Sequence, residues 1–418
     1  MGQIVLGQNA KNDIAIYDYD VLFLGGLFPN GYENELLKNS KRNVQNAANN
    51  LQWSLVRGLD MNLKNPVKIL NSVYVGSFPF LYRKPFIDSY GFSHINGAED
   101  KNVGFLNIPL LKHWSRQRKL KKYIRNWTEN SSSKKRLAVA YAATPVMVKS
   151  LSYIKSLDSS IATCLVVPDL PEHMNVGSKN EIYKKVKDIA TPMLYDEMSK
   201  CDSFVYLTEA MAEKAAPGKP YVVVEGIATT KHPKKKYGKV SDKTTFLYTG
   251  GINSDYGVIE LIEAFTRIDD SSIRLQLCGG GADVDNVKNY CKQDNRIEYL
   301  GLLPYERVLD LQVKADFLIN PRRDSNEFTK YSFPSKIIEY LASGTPTISY
   351  ILSGFPKEYK KYLLVIDIQK GIGEAIIDAS QLSRNEIELI GHGGASFVRD
   401  EKSEERQVAK ILRMIDHQ

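Results

Sequence analysis

The residues between Arg322 and Gly344 are of the types that bind a nucleoside diphosphate. Arg322 and Arg323 follow an apolar strand pattern. The segment Ser332-Phe333-Pro334 predicts the start of a helix, because proline is favoured in a first helical turn, and Gly344 ends that helix. Free N–H groups at a helix start, together with two guanidinium groups, suit phosphate oxygens.

Glu339 adds a carboxylate to this predicted helix. It follows Ser335 by four residues, so both lie on one helix face, where the acid could hold sugar hydroxyls while the helix start holds phosphates. Together these residues predict a nucleotide-sugar site. The alternative is an exposed ion pair between Glu339 and Lys336, with the two arginines in a solvated loop.

Two glycine-rich turns follow predicted strands in the second half of the chain. Gly250-Gly251 precedes a segment with helical apolar spacing, and glycines there let the backbone approach a ligand closely. A plain strand-to-helix turn explains the pair equally well. We interpret the triple glycine Gly279–Gly281 as a packing feature.

Asp169, Glu172 and His173 follow a predicted strand in the first half, in the sequence VVPDLPEHM. Two acids and an imidazole at a strand end could hold acceptor hydroxyls or transfer a proton. The alternative is a proline-stiffened turn in which Asp169 caps the local backbone.

The segment Leu111–Trp127 combines seven lysines and arginines with Leu111, Trp114, Leu120, Ile124 and Trp127. A basic amphipathic helix with tryptophans can lie on an anionic membrane. It could instead use those apolar residues for the core. We do not expect nucleic-acid binding, because no recognised module accompanies the charge.

Alternating strand and helix patterns must position these residues. Apolar runs such as Val21–Leu24, Ile161–Val167 and Phe317–Ile319 predict strands separated by helices. This alternation predicts an α/β protein with doubly wound, mainly parallel sheets. In such sheets ligands bind at the carboxyl ends of the strands.

The 418-residue length favours two domains. The lysine-rich run Lys231–Lys243 predicts a linker, which gives a first domain of residues 1–235 and a second of 236–400. Residues 401–418 form a predicted last helix with room to pack back on the first domain.

Composition and charge narrow the function classes. With 43% hydrophobic and 25% charged residues the chain has a soluble globular composition, without a long apolar run or a secretory signal. Residues 1–235 hold 32 basic and 21 acidic residues and the remainder 24 and 27, so an anionic surface could contact the first half. The four unpaired cysteines favour buried thiols over a metal or disulfide site.

The second half resembles the donor-binding half of glycosyltransferase family 4, which has the GT-B fold of two facing Rossmann-like domains. The similar segments are FLYTGGINSDYGVIELIEAF, RLQLCGGG, IEYLGLLPYERV, ADFLINP and SFPSKIIEYLASGTPTI. The first half is similar more loosely, through LFLGGLFP, NVGFLNIP, VVPDLPEHM and SFVYLTEAM. Those phrases resemble bacterial transferases of capsular and other surface polysaccharides.

The resemblance implies roles for individual residues. It implies that Glu339 holds the ribose, that Ser335 and Lys336 lie near the phosphates, and that Leu302 lies where the backbone reads the base. Gly25 and Gly26 match the glycine-rich turn on the acceptor side. No metal or other cofactor is expected, only the nucleotide-sugar co-substrate.

This chain departs from the family pattern in two places. The first acid of the family's paired-glutamate motif would fall at Tyr331, and Glu327 lies four residues upstream. The family's phosphate-binding arginine and lysine would fall near Gly251 and Tyr256 and are missing. Our hypothesis is that Arg322, Arg323, Lys330 or Lys336 supplies the lost charge.

We therefore expect a cytoplasmic retaining transferase at the inner membrane face, moving a sugar from a nucleotide sugar, a UDP-sugar by preference, to a lipid-linked or oligosaccharide acceptor. Asp169 and Glu327 are the candidate catalytic acids, and His173 is a candidate acceptor-side residue. Two alternatives are a nucleotide-sugar 2-epimerase, which needs more acids near the sugar, and a lapsed transferase that acts as a binding or chaperone subunit.

Overall fold

The computed structural model describes residues 16–41, 46–109, 111–131, 133–173, 181–228, 233–235, 243–324 and 327–418, without the side chains of residues 181–187 and 327–328. Most of the predicted linker Lys231–Lys243 lies outside these ranges, so its linker role stays a prediction.

The first sheet has eight strands in the order β10-β9-β8-β7-β1-β2-β5-β4. The strands in this half of the chain are β1 (Asp20–Gly25), β2 (Lys68–Asn71), β3 (Phe86–Ile87), β4 (Tyr90–Phe92), β5 (Asp100–Asn102), β6 (Phe105–Leu106), β7 (Arg136–Tyr141), β8 (Ala162–Val167), β9 (Ser203–Tyr206) and β10 (Tyr221–Val223). The helices are α1 (Glu33–Asn39), α2 (Asn46–Asn62), α3 (Leu111–Asn130), α4 (Pro145–Leu157), α5 (Glu181–Met198) and α6 (Glu209–Ala215).

Strand β1 shows why apolar runs form this sheet. Its side chains alternate, with Leu22 and Leu24 in the core on one face and Val21 and Phe23 in the core on the other. Both faces are therefore covered, as in parallel sheets whose crossover helices lie on both sides. Strand β7 pairs in parallel with β1 on one side and with β8 on the other.

The edge of the first sheet departs from the parallel pattern. Strand β4 pairs antiparallel with β5, and β3 pairs antiparallel with β6 in a separate two-stranded sheet. These strands are two or three residues long, too short for a periodic pattern to reveal them. They lie in residues 73–109, the segment between the end of β2 and the start of α3.

The second sheet has six parallel strands in the order β13-β12-β11-β14-β15-β16. They are β11 (Thr244–Thr249), β12 (Ile273–Cys278), β13 (Ile297–Gly301), β14 (Phe317–Asn320), β15 (Thr347–Ser349) and β16 (Leu364–Val365). The helices are α7 (Val258–Thr266), α8 (Val284–Gln293), α9 (Tyr305–Lys314), α10 (Lys336–Ala342), α11 (Gly371–Ser380), α12 (Arg384–Glu401) and α13 (Glu404–Asp416).

The last helix, α13, leaves the second sheet and packs on α2 of the first. The helices approach closely at Gly58, where a Cβ would lie 2.4 Å from the carbonyl oxygen of Glu404. Arg57 donates to the Glu404 carboxylate at 2.6 Å, and Val408 and Leu412 join the core beneath the first sheet. Helix α13 thus adds apolar side chains to the core that covers one face of β1.

The chain passes between the sheets twice, and the two passages touch. Ala228 N–H donates to the Lys402 carbonyl at 2.8 Å. Beside this contact, Lys402 Nζ lies 2.7 Å from the buried carboxylate of Glu225 and 3.0 Å from Glu358, and Tyr359 donates to Glu225. Burial would lower the pKa of Lys402, but the two carboxylates raise it, so the lysine is charged.

Candidate functional site

Glu339 on α10 is held in place by three donors. Its Oε1 accepts from Gln312 Nε2 at 2.6 Å and from Lys336 Nζ at 2.8 Å, and its Oε2 accepts from the Tyr305 hydroxyl at 3.2 Å. Gln312 is fully buried and also donates to Thr249 at the end of β11. The ion pair with Lys336 exists, but a buried amide also fixes the carboxylate, which is 17% exposed. Glu339 is therefore a positioned acceptor for hydroxyl groups.

Leu302 provides an exposed apolar side chain three residues before Tyr305, the residue that donates to this carboxylate. It is 81% exposed, directly after Gly301, whose φ of 76° requires glycine. Tyr305, which donates to Glu339, is 43% exposed. The carboxylate of Glu339 could hold a ribose, and the exposed side chain of Leu302 could contact a base.

The glycines after β11 and β12 allow two loops to meet. A Cβ on Gly279 would lie 1.8 Å from the carbonyl oxygen of Gly250, and a Cβ on Gly251 would lie 2.9 Å from the ring of Tyr256. Gly250 N–H already donates to the Cys278 carbonyl at 2.9 Å. Close packing is thus a sufficient reason for these glycines, whether or not a ligand also approaches them.

The structure separates the two neighbouring arginines. The Arg322 guanidinium lies 5.7 Å from the ring centroid of Tyr256, in the loop after β11. Arg323 turns away, pairs with Glu260 of α7 at 2.5 Å and donates to the Tyr350 hydroxyl at 3.0 Å. Only Arg322 therefore reaches the loop from which the family's basic residues are missing.

The predicted start of the helix at Ser332-Phe333-Pro334 is wrong by a few residues. Helix α10 begins at Lys336, after Ser335, whose side chain caps no helix N–H group. The reason is that Phe333 is buried against the rings of Phe355 and Tyr359, each 5.1 Å away. The buried position of Phe333 keeps residues 332–334 outside the helix.

Tyr331 contacts residues of the first-sheet half across the cleft. Its ring stacks on the His173 imidazole at 5.8 Å between centroids, and Lys214 Nζ lies 4.9 Å above it. Lys214 also pairs with Glu172 at 2.6 Å. The residue in place of the family's first acid thus joins the two halves. The side chain of Glu327 lies outside the described part of the chain, so its role stays a prediction.

Asp169 is exposed and lies two residues after the end of β8, yet the protein groups around it desolvate its carboxyl group and raise its pKa to about 6. Its charge helps to raise the pKa of the neighbouring buried Tyr141. The chain after Tyr141 turns at Ala142, with φ of 75°, a strained value for alanine. The alanine-rich sequence gave no signal of this strain.

Gly25 and Gly26 end β1 beside these residues. A Cβ on Gly26 would lie 2.4 Å from the Tyr74 ring, and Tyr74 donates to the Tyr141 carbonyl at 2.7 Å. Gly26 N–H donates to the buried Gln52 side chain at 2.8 Å. The ends of β1, β7 and β8 therefore form one connected surface on the first-sheet side.

Two of the basic side chains of α3, Lys112 and Arg116, are buried and do not belong to an exposed basic face. Arg116 is buried and donates to the Ser72 hydroxyl and carbonyl at 2.8 and 2.7 Å. Lys112 donates to the Val75 carbonyl, and burial lowers its pKa to about 8. The core interpretation of the helix is confirmed for part of its apolar residues, and the membrane-surface interpretation stays a prediction. Leu120, Ile124 and Trp127 are in the core, while Leu111, Trp114, Arg118, Lys119, Lys121, Lys122 and Arg125 are exposed.

Within the ranges described, no three His, Cys, Asp or Glu side chains are grouped as metal ligands. Over the same ranges, every helix is too short or too polar to cross a membrane.

Comparison with known proteins finds one family model that matches part of the chain. Residues 230–378 match the model of the family "Glycosyl transferases group 1". No curated protein matches the chain by sequence.

Solved structures match almost the whole chain. Sucrose-phosphate synthase from Thermosynechococcus elongatus superposes with a TM-score of 0.62 at 13% identity, over 95% of this chain and 98% of that one. The UDP-forming α,α-trehalose-phosphate synthase from Burkholderia xenovorans gives 0.61 at 8% identity, over 95% and 100%. Anabaena HepE, solved with UDP, gives 0.60 at 12% identity, over 96% and 100%. The predicted GT-B fold is thus confirmed.

Proposed function

We propose that this protein transfers a sugar from a nucleotide diphosphate sugar to a hydroxyl group of a saccharide acceptor, with retention of configuration. The observation that carries the proposal is the Glu339 carboxylate, held by Gln312 and by Tyr305, which follows the exposed Leu302 by three residues. The family match over residues 230–378 supports the same activity. In this arrangement Glu339 accepts from the ribose hydroxyls and the base lies against the Leu302 edge.

A UDP-sugar is the preferred donor. Similar structures support this choice, since HepE was solved with UDP and the Burkholderia synthase is described as UDP-forming. Arg322 and Lys336 are the cations that would face the diphosphate as it leaves. Preorganised positive groups stabilise charge that develops on a leaving group.

The acceptor hydroxyl would approach from the ends of β1, β7 and β8. Asp169 and His173 lie on that side, and a carboxylate with a pKa of about 6 can hold or take a proton near neutral pH. In the mechanism we favour, the acceptor attacks the anomeric carbon on the face that the diphosphate leaves, and a diphosphate oxygen takes the hydroxyl proton. No covalent enzyme intermediate is needed.

We further propose a lipid-linked acceptor in surface polysaccharide synthesis, presented at an anionic membrane surface. The exposed Leu111 and Trp114 lie at the start of α3, next to five exposed lysines and arginines. Apolar side chains beside cations favour binding at an anionic bilayer surface. Vesicle flotation tests this, and equal recovery of the protein with neutral and anionic vesicles at low salt would exclude the membrane role.

Calorimetry with UDP, GDP and their sugar conjugates tests the donor site. We expect one nucleotide to bind, with loss of binding in Glu339→Ala and normal binding in Glu306→Ala, a matched exposed acid on α9. A ribose carboxylate contributes charge-assisted hydrogen bonds of about 1.5–3 kcal/mol each. If no nucleotide binds the folded wild type, the transferase proposal fails and the lapsed-subunit alternative gains weight.

A further inference from the structure

A cavity of about 230 Å³, which the proposed donor and acceptor sites do not use, lies between α1 and residues 73–90. Leu36, Val73 and Tyr82 form its buried floor, and Phe86, Tyr32 and Tyr90 form its walls. The rings of Tyr32 and Tyr90 stack with centroids 3.9 Å apart. The cavity is below the roughly 300–1,000 Å³ of drug-sized sites, and so suits a single ring.

The cavity presents the hydroxyl group of Tyr82. Tyr82 is 1% exposed, and within the described residues no hydrogen bond reaches its hydroxyl. Burial, and then the charge of Glu35, raise the pKa of Tyr82 to about 12, so the group is a neutral donor. Because Tyr82 lines the cavity, its hydroxyl can donate a hydrogen bond to a bound polar molecule.

The charges around the cavity disfavour an anionic ligand. Glu35 and Asp88 line it together with Lys84, whose Nζ lies 2.5 Å from Glu35. The lysine is thus already paired, and one acid remains in excess. A phosphate or nucleotide would meet net negative charge, whereas a neutral polyol would meet both donors and acceptors.

Phe86 supplies the apolar part of the cavity. It is 57% exposed on the two-residue strand β3 and lines the cavity. A pyranose ring has one apolar C–H face and a rim of hydroxyls. An exposed ring beside the Tyr82 hydroxyl and a carboxylate matches both parts of such a ring.

The cavity adjoins the acceptor side. Ser72 N–H donates to the Gly25 carbonyl at 2.8 Å, and Tyr74 N–H donates to the Gly26 carbonyl at 3.1 Å. Val73, between them, points the other way into the cavity floor, as alternate residues of an extended segment do. One extended segment thus separates the cavity from the acceptor-side turn.

We infer that this cavity is a sugar-binding subsite that holds a pyranose unit of the acceptor remote from the unit that receives the new sugar. The inference rests on the proposed transferase function, and it specifies an acceptor longer than a monosaccharide. Binding of a second unit would select for a chain of defined composition near its growing end.

Saturation-transfer NMR with methyl glycosides of the common hexoses and N-acetylhexosamines, used as probes, tests the inference. We expect at least one glycoside to bind the wild type, and Tyr82→Phe, which keeps the packing, to lose affinity by roughly 2- to 12-fold, as for one hydrogen bond. Phe86→Ala should lose affinity to a similar extent. Phe80→Ala is the matched control, because Phe80 is 74% exposed and does not line the cavity.

Calorimetry with UDP on the same variants separates this inference from the donor site. We expect normal UDP affinity in Tyr82→Phe and Phe86→Ala. If UDP binds but no glycoside does, or if glycosides bind equally to both variants and the wild type, the subsite is excluded while the transferase proposal stands. Glycoside binding that depends on Tyr82, without UDP binding, would support the subsite and exclude the donor site.

Discussion

The rings of His173 and Tyr331 face each other across the cleft, with centroids 5.8 Å apart and planes inclined by 30°. His173 follows the end of β8 in the first sheet, and Tyr331 ends a short helical turn that precedes α10 of the second. Thr208 adds a hydrogen bond to the Lys330 carbonyl at 2.8 Å. The two halves are thus in contact beside the proposed reaction centre.

Replacing Tyr331 by alanine should loosen this contact. An aromatic pair contributes about 0.5–1.5 kcal/mol, so the ratio of closed to open arrangements should fall by roughly 2- to 13-fold. Small-angle X-ray scattering would show a larger radius of gyration in Tyr331→Ala than in the wild type or in Tyr331→Phe, which keeps the ring. An unchanged radius in Tyr331→Ala would mean that other contacts hold the halves together.

Arg322 and Arg323 should differ in their effect on UDP binding. Arg322→Ala should weaken binding by roughly 10- to 100-fold, the loss of one charged hydrogen bond of about 1.5–3 kcal/mol. Arg323→Ala serves as the control, because that guanidinium is already paired with Glu260. Calorimetry measures both, and equal losses in the two variants would contradict the separation that the structure shows.

The ionised carboxylate of Asp169 should lower the free energy of unfolding at neutral pH. Burial raises its pKa from 3.8 to about 6, so the folded state holds the proton more tightly than the unfolded state between those values. The free energy of unfolding should therefore fall as the pH rises from 3.8 to about 6. Asp169→Asn should melt at a higher temperature than the wild type at neutral pH.

The difference in melting temperature should shrink below the unfolded-state pKa, where both proteins carry a neutral group. Asp158→Asn provides the opposite control, because hydrogen bonds from Ser160 and Arg136 hold the pKa of Asp158 at about 2. That substitution should lower the melting temperature at neutral pH. A lower melting temperature for Asp169→Asn would show that its carboxylate is stabilising.

His94 should make stability depend on alkaline pH. Its Nδ1 lies 2.6 Å from Asp100 and its Nε2 lies 2.9 Å from Asp60, with all three side chains at most 11% exposed. Burial would lower the pKa of His94, but the two carboxylates raise it from 6.5 to about 9. The stabilisation is complete below pH 6.5 and is lost as pH rises through 9, on the order of 3 kcal/mol in total.

Urea unfolding across that pH range measures the effect. His94→Gln should be less stable than the wild type at neutral pH and should lack the alkaline decline. The exposed His392, which is 62% accessible beside Glu388, is the control position. A decline that persists in His94→Gln would assign it to another group.

Much of the fold could be predicted because parallel strands that are covered on both faces are apolar runs, as β1, β8 and β14 are. The short antiparallel strands β3 and β4 could not, since two or three residues carry no period. On α3, the prediction of core positions was correct for Leu120, Ile124 and Trp127 and wrong for Leu111 and Trp114, which are exposed. It gave no sign that Lys112 and Arg116 point inward, because their partners are backbone and hydroxyl oxygens from a distant loop.

In the candidate site, residue types identified Glu339 but not the groups that hold it. Gln312 and Tyr305 lie on the preceding helix, and only the packing of α9 against α10 brings them to the carboxylate. The same limit applies to Arg322 and Arg323, which the sequence treats as equivalent. Their difference arises from Glu260 and Tyr350, which attract one guanidinium and leave the other for the cleft.

The return of α13 to α2 has a consequence for how the protein is made. Helix α2 leaves the ribosome about 340 residues before Glu404, Val408 and Leu412, the residues of α13 that cover α2 and the sheet above it (Asn62 to Glu404). At roughly 5–20 residues per second, the apolar surface of the first half waits uncovered for on the order of tens of seconds. A nascent chain of this protein should therefore depend on chaperones until α13 has been synthesised.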